Sequence, residues 1–149
     1  MNDPGAGATG ILVAMTDQIA DILTTYRRVA MVGASPRADR PSHGVMRHLL
    51  QAGFDVIPVN PTVDEVLGVP CAASLAEAAG RGPLEIVNIF RRASDVPPVV
   101  DEAIELGAKV IWMQLGIRNA EAAEAARAAG LQVVENQCIA VEHRRLDGY

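Results

Sequence analysis

Residues 29–36 read Val-Ala-Met-Val-Gly-Ala-Ser-Pro. The apolar residues make a short buried strand, Gly33 breaks it, Ser35 and Pro36 open a loop, and helix-like sequence resumes at Ser42. A strand that ends in glycine and turns into a helix is a physical recipe for holding a phosphate. Glycine lets the backbone turn tightly and approach a ligand, while the helix start presents N–H groups carrying partial positive charge. This segment points to a nucleotide-type binding domain.

The rest of the chain repeats a compatible pattern. Gly53 separates helix-like 45–52 from strand-like 54–59, Gly107 separates 99–106 from 109–113, and Gly130 separates 120–129 from 131–135. Each glycine stands just after a helix, where the left-handed conformation is wanted. A further strand, 85–90, follows an alanine-rich helix at 74–79, and a short strand is expected around 66–69. A helix at 16–27 precedes the first strand, capped by Thr16 or Asp17, with Ile19, Ile22 and Leu23 as its apolar stripe. Residues 1–15 read as a flexible tail, leaving 16–149 as one domain. Alternating helices and buried strands predict an α/β fold: a doubly wound parallel sheet in a single three-layer domain. The first strand should lie beside strand 85–90, where the winding reverses, and a ligand should sit across the carboxyl ends there.

Composition fits this reading. Of the 149 residues, 50% are hydrophobic but only 3% aromatic, so the core is built from Val, Ile, Leu and Ala, as in helix-covered parallel sheets. A net charge of -5 argues against a nucleic-acid surface. Cys71 and Cys138 have no CxxC spacing and no neighbouring His cluster, so neither a metal site nor a disulfide framework is expected. The N-terminus carries Asp3 and no basic residue, unlike a signal peptide, and no apolar run approaches ~18 residues, so no membrane span is expected and the cytoplasm is the default location.

Four loops should converge on the carboxyl edge. The first carries Gly33, Ala34, Ser35, Pro36, Arg37, Arg40 and Ser42. The second is Asn60-Pro61-Thr62, the third follows Phe90 with Arg91 and Arg92, and the fourth is Gln114-Leu115-Gly116, before a helix capped by Asn119. This acidic chain places four of its 13 basic residues at one edge. Arginine suits phosphate because its fork donates two parallel hydrogen bonds. Phosphate contact is expected from at least one of Arg37, Arg40 and Arg91, with Arg92 pointing away. The G-x-G-x-x-G fingerprint is absent, and strand 54–59 ends at Asn60 rather than at an acid that would hold a ribose. Both absences count against ordinary NAD binding.

Catalytic groups are scarce. His43 stands at the helix start, in a packing or solvent-facing role, and His48 is expected to face solvent. His143 follows Glu142 in a C-terminal tail and could pair with it. No Ser-His-Asp or Cys-His order stands out. Cys138 lies at the carboxyl edge, Cys71 reads as core, and Trp112 as core or interface.

Taken together, these segments resemble the stand-alone coenzyme A-binding domain proteins, which are similar to the N-terminal domain of the succinyl-CoA synthetase alpha subunit. The likeness runs from about Val29 to Leu146. It is carried by Val-Gly-Ala-Ser-Pro at 32–36, Arg-Pro-Ser at 40–42, Ile-Pro-Val-Asn-Pro at 57–61 and Phe-Arg-Arg at 90–92. Gly-Ala-Lys at 107–109, Trp-Met-Gln-Leu-Gly at 112–116 and Glu-His-Arg-Arg-Leu at 142–146 complete it. The resemblance implies a Rossmann-like domain that binds coenzyme A or an acyl-CoA. Gly33, Ala34, Ser35, Pro36 and Arg37 would meet its phosphates, Asn60 and Pro61 would border the adenine, and Phe90, Arg91, Gln114, Leu115 and Gly116 would form the opposite wall. The phosphohistidine of the synthetase belongs to another domain, so ligase activity is not implied. The chain departs from the family at Thr62-Val63-Asp64-Glu65, where glycine or lysine is frequent, and at Asn136-Gln137-Cys138, where Asp-Arg-Cys is frequent. Three readings are open on these residues. They are a non-catalytic CoA-binding module, an NAD(P)-binding oxidoreductase or redox sensor, and an interaction module that has lost its ligand. The apolar edges permit a homodimer.

Overall fold

A computed structural model describes residues 7–146. Its centre is a five-stranded, wholly parallel sheet of β1 (Arg28–Val32), β2 (Asp55–Val59), β5 (Ile86–Ile89), β6 (Val110–Met113) and β7 (Gln132–Val134), in the order β2-β1-β5-β6-β7. Val32 stands opposite both Val59 and Ile89, so β1 and β5 are the neighbours from which the chain winds outward in opposite directions. The expected doubly wound α/β sheet is therefore present, with its reversal between the expected strands.

Side chains alternate across each strand. Ala30, Val32, Val87, Ile89, Ile111 and Met113 pack beneath α3 (Leu75–Ala79), α4 (Val96–Glu105) and α5 (Ala120–Ala128). Val29, Met31, Ile86, Val110 and Trp112 face α1 (Gly7–Thr25), α2 (Pro41–Gln51) and α6 (Ile139–Leu146). Trp112 is wholly buried there, so it belongs to the core and offers no surface to a second copy. The Glu85 carboxylate accepts the amides of Arg27 and Arg28, at 3.0 and 2.9 Å, and so anchors the entry to β1. Among the described residues no helix is long and apolar enough to cross a membrane.

Four sequence expectations need correction. Residues 7–15, read as tail, are helical. The Gly/Ala-rich start hides a run of apolar helix formers at 11–15, and α1 ends at Thr25 instead of reaching 27. Residues 1–6 of the expected tail lie outside the described residues. The single strand around 66–69 is instead a hairpin of β3 (Glu65–Val66) and β4 (Val69–Pro70), because Leu67 and Gly68 turn with φ of 51° and 80°. The helix after β5 begins at Val96, with prolines in its first turn where no amide donor is needed. The expected C-terminal tail is helix α6, which buries Ile139, Ala140, Glu142 and His143.

That helix also changes the histidines. His48, expected in solvent, is half-buried and its Nε2 lies 2.9 Å from Nδ1 of His143. His143 packs edge-on against Phe54, while Glu142 pairs with Arg145 at 2.6 Å. His43 is buried against Arg47 and is not among the described residues lining the candidate site.

Asn119 ties the loop after β5 to the loop after β6 at the carboxyl edge. Its Oδ1 caps α5 by accepting from the Ala122 amide at 2.9 Å, and its Nδ2 donates to the Ala93 carbonyl at 2.9 Å. Asn119→Ala is expected to destabilise the fold by about 1–2 kcal/mol, read by urea denaturation. A loss under about 0.3 kcal/mol would contradict the capping role.

Candidate functional site

A cleft of about 610 Å³ runs over the carboxyl ends of the strands. Its described lining includes Gly33, Ala34, Ser35, Arg37, Arg40, Ser42, Asn60, Phe90, Arg91, Gln114 and Leu115, which brings residues of all four expected loops together. Pro41, Val45, Ile117 and Cys138 also line it. Val45 was legible as a member of the α2 stripe Ser42, Val45, Met46, Leu49, and Cys138 by its place after the last strand.

Gly33 is required at the bend for two reasons. Its φ is +90°, and a Cβ there would stand 2.3 Å from the carbonyl oxygen of Phe90. The first loop therefore lies directly on the third. Backbone bonds clamp the contact: the Gly33 amide donates to Val59 at 3.2 Å and the Phe90 amide donates to Val32 at 2.8 Å.

The loop's amides are less bare than the sequence suggests. The Ser35 amide donates to Ser42 Oγ at 3.1 Å, and the Arg37 amide to Ser35 Oγ at 3.2 Å. Both hydroxyls thus shape the turn from within. What stays open is the start of α2, where Arg40 at the N-cap makes no side-chain capping bond and proline fills the first turn. The N-terminal partial positive charge of an eleven-residue helix is left facing the cleft.

Asn60 ties the second loop to the first. Its Nδ2 donates to the Ala34 carbonyl at 2.9 Å, while its Oδ1 accepts from the Thr62 amide and hydroxyl, each at 2.9 Å. Pro36, Pro61 and Gly116 are not among the described lining residues. Pro36 and Pro61 are exposed on their loops, and the Gly116 amide is drawn to Asn136 Oδ1 at 2.7 Å in a turn with φ of +87°.

The arginines sort by their partners. Arg37 lies 3.0 Å from Asp39, and Arg92 is turned to Asp95 at 3.1 Å, away from the cleft as expected. Arg40 and Arg91 line the cleft and make no ion pair among the described residues. No aspartate or glutamate stands among the described lining residues. In a chain of net charge -5, this is a locally cationic hollow. Cys71, read as core, is half-buried, and desolvation pushes its thiol above the ordinary 9.0, against the opposing pull of Arg81.

Known proteins share this architecture. A hypothetical protein from Pyrococcus horikoshii OT3 of solved structure is 40% identical, with a TM-score of 0.85 and 99% of each chain covered. A solved Thermus thermophilus protein is 34% identical, with a TM-score of 0.82, over 88% of this chain and 98% of that one. Protein YneT of Bacillus subtilis is 44% identical over 85% of this chain and 92% of its own length. Acetate–CoA ligase (ADP-forming) I of Archaeoglobus fulgidus is 32% identical over 74% of this chain, which spans only 17% of that enzyme. The family described as the CoA binding domain matches residues 27–144, so the strand-ends cleft and the sheet that carries it belong to a member of the CoA binding domain family.

Proposed function

We propose that this protein is a non-catalytic module that binds coenzyme A or an acyl-CoA in the cleft over the strand ends. The observation that carries the reading is the cleft's charge: Arg40 and Arg91 stand without acidic partners beside the open start of α2, and no carboxylate lines the hollow among the described residues. An anion gains from both features at once. The diphosphate lies against the turn from Gly33 to Arg40, with Asn60 at the adenine side. Phe90, Val45, Leu115 and Ile117 supply apolar walls for an uncharged arm. NAD(P) is the poorer fit, because Asn60 occupies the end of β2 where a ribose-binding acid would stand, and its amide is committed to Ala34 and Thr62.

Calorimetric titration tests this. CoA is expected to give saturable heat below millimolar concentration and NADH at least about tenfold weaker binding. Arg40→Ala should weaken CoA by about tenfold, the worth of one charge-assisted phosphate contact, and flatten the salt dependence. Tighter binding of NADH than of CoA, or no heat with millimolar CoA, contradicts the reading.

A further inference from the structure

We propose that Asn88 is a positioning residue for the ligand's arm: from one layer below the cleft it fixes the Gln114 side chain, and it does so at the expense of the fold's stability. This rests on the CoA reading above, and deepens it by naming a residue outside the cleft lining that sets affinity for one part of the ligand.

Asn88 breaks the pattern of its strand. It stands in β5 between Val87 and Ile89, fully buried, and its register neighbours on β1 and β6 are Met31 and Trp112, both fully buried as well. A central parallel strand covered on both faces calls for an apolar residue at such a place. Asn88 Nδ2 donates to Gln114 Oε1 at 3.2 Å and lies 3.5 Å from the Trp112 carbonyl oxygen, a marginal contact. The Ile139 amide donates to the same Gln114 oxygen at 3.3 Å. A backbone amide only donates, so the Gln114 atom between them is oxygen and the Asn88 atom facing it is nitrogen. That leaves the other end of Asn88 unmatched. Among the described residues its Oδ1 is the one buried side-chain nitrogen or oxygen with no hydrogen-bond partner. An unpaired buried acceptor destabilises a fold, and an apolar side chain carries no such penalty. Stability therefore does not account for asparagine here.

What asparagine does at this place is hold Gln114. That residue is 5% exposed and lines the cleft, on the loop that also brings Leu115 and Ile117 to the apolar wall. Two residues beyond Asn88, Phe90 lines the same cleft, which puts Asn88 one layer below it. The sheet order sets Gln114, after β6, two interstrand steps from the Gly33 turn after β1, about 10 Å at the usual spacing. An extended arm leaving a diphosphate at that turn reaches it. Two buried donors on one oxygen hold the Gln114 side chain in a single arrangement before the ligand arrives, so less order is lost on binding.

Calorimetry with CoA and with 3′-phospho-ADP, the same ligand without its arm, tests this on the wild-type protein, Asn88→Val, Gln114→Ala and the double variant. Asn88→Val should bind CoA about fivefold more weakly and Gln114→Ala about tenfold more weakly. The double variant should be no weaker than Gln114→Ala, because Asn88 acts through Gln114. Binding of 3′-phospho-ADP should be unchanged in Asn88→Val, and its melting temperature unchanged or raised by about 3 °C. Asn88→Ser, which draws back from Gln114 without adding bulk, should repeat the affinity pattern. Any of four results overturns this inference alone: CoA affinity within about twofold of wild type in both Asn88 variants, losses that add in the double variant, an equal loss for 3′-phospho-ADP, or a melting temperature lowered by more than about 3 °C in both Asn88 variants. Absence of any heat when the wild-type protein meets CoA would overturn the ligand reading as well.

Discussion

Gly33→Ala is expected to lower stability by about 3 kcal/mol and CoA affinity by at least about a hundredfold. A non-glycine residue at φ of +90° carries a backbone cost of about 1–3 kcal/mol. The added Cβ would also meet the Phe90 carbonyl oxygen at 2.3 Å, a backbone atom that cannot rotate away. The first loop must lift off the third, and both loops line the cleft. Gly130 provides the control, since it has the same φ of +90° but nothing within 4 Å of the place an added methyl would take. Gly130→Ala should therefore show only the conformational cost, about 1 kcal/mol, with CoA affinity unchanged. Thermal denaturation and calorimetry on the pair separate the two terms. Equal losses in both variants would show that the contact with Phe90 carries no weight.

Trp112→Ala is expected to cost about 3–5 kcal/mol, the largest single effect in the fold. Trp112 is fully buried in the middle of β6, packed with the residues of α1, α2 and α6. It also holds the Gln137 carbonyl just before Cys138. Trp112→Phe keeps most of the volume but leaves that carbonyl without its donor, for a loss of about 1–3 kcal/mol. Urea denaturation followed by far-ultraviolet circular dichroism gives both values, since the chain's only tryptophan is removed. A loss under about 1 kcal/mol for the alanine variant contradicts the core role.

The parallel sheet was readable because its strands are short apolar runs set off by glycines. Gly53, Gly107 and Gly130 do take positive φ, at 92°, 79° and 90°. The same punctuation gave the strand order at the reversal, and so the edge at which the loops meet. Helix α6 escaped because Glu142, His143, Arg144 and Arg145 read as solvated charge. Burial of Glu142 and His143 depends on Arg145, His48 and Phe54, two of which lie far away in the chain. The β3–β4 hairpin escaped because its turn puts Leu67 at positive φ, where glycine or asparagine is the usual signal. At the site, residue types and loops were legible, but not the internal bonds. Nothing in the spacing of Ser35 and Ser42 reveals that their hydroxyls take up the loop's amides, or that Asn136 draws the Gly116 amide to itself.

The central claim is that the turn from Gly33 to Arg40 holds the ligand's diphosphate. A crystal structure of the protein grown with CoA measures this most directly. The account predicts phosphate density against the start of α2, within hydrogen-bonding reach of Arg40 or Arg91, with the arm running past Phe90 and Gln114 toward Cys138. Density for the phosphates in the smaller hollow of about 250 Å³ formed by Gln18, Arg118 and Arg127, or an arm directed toward Asn60, would contradict it.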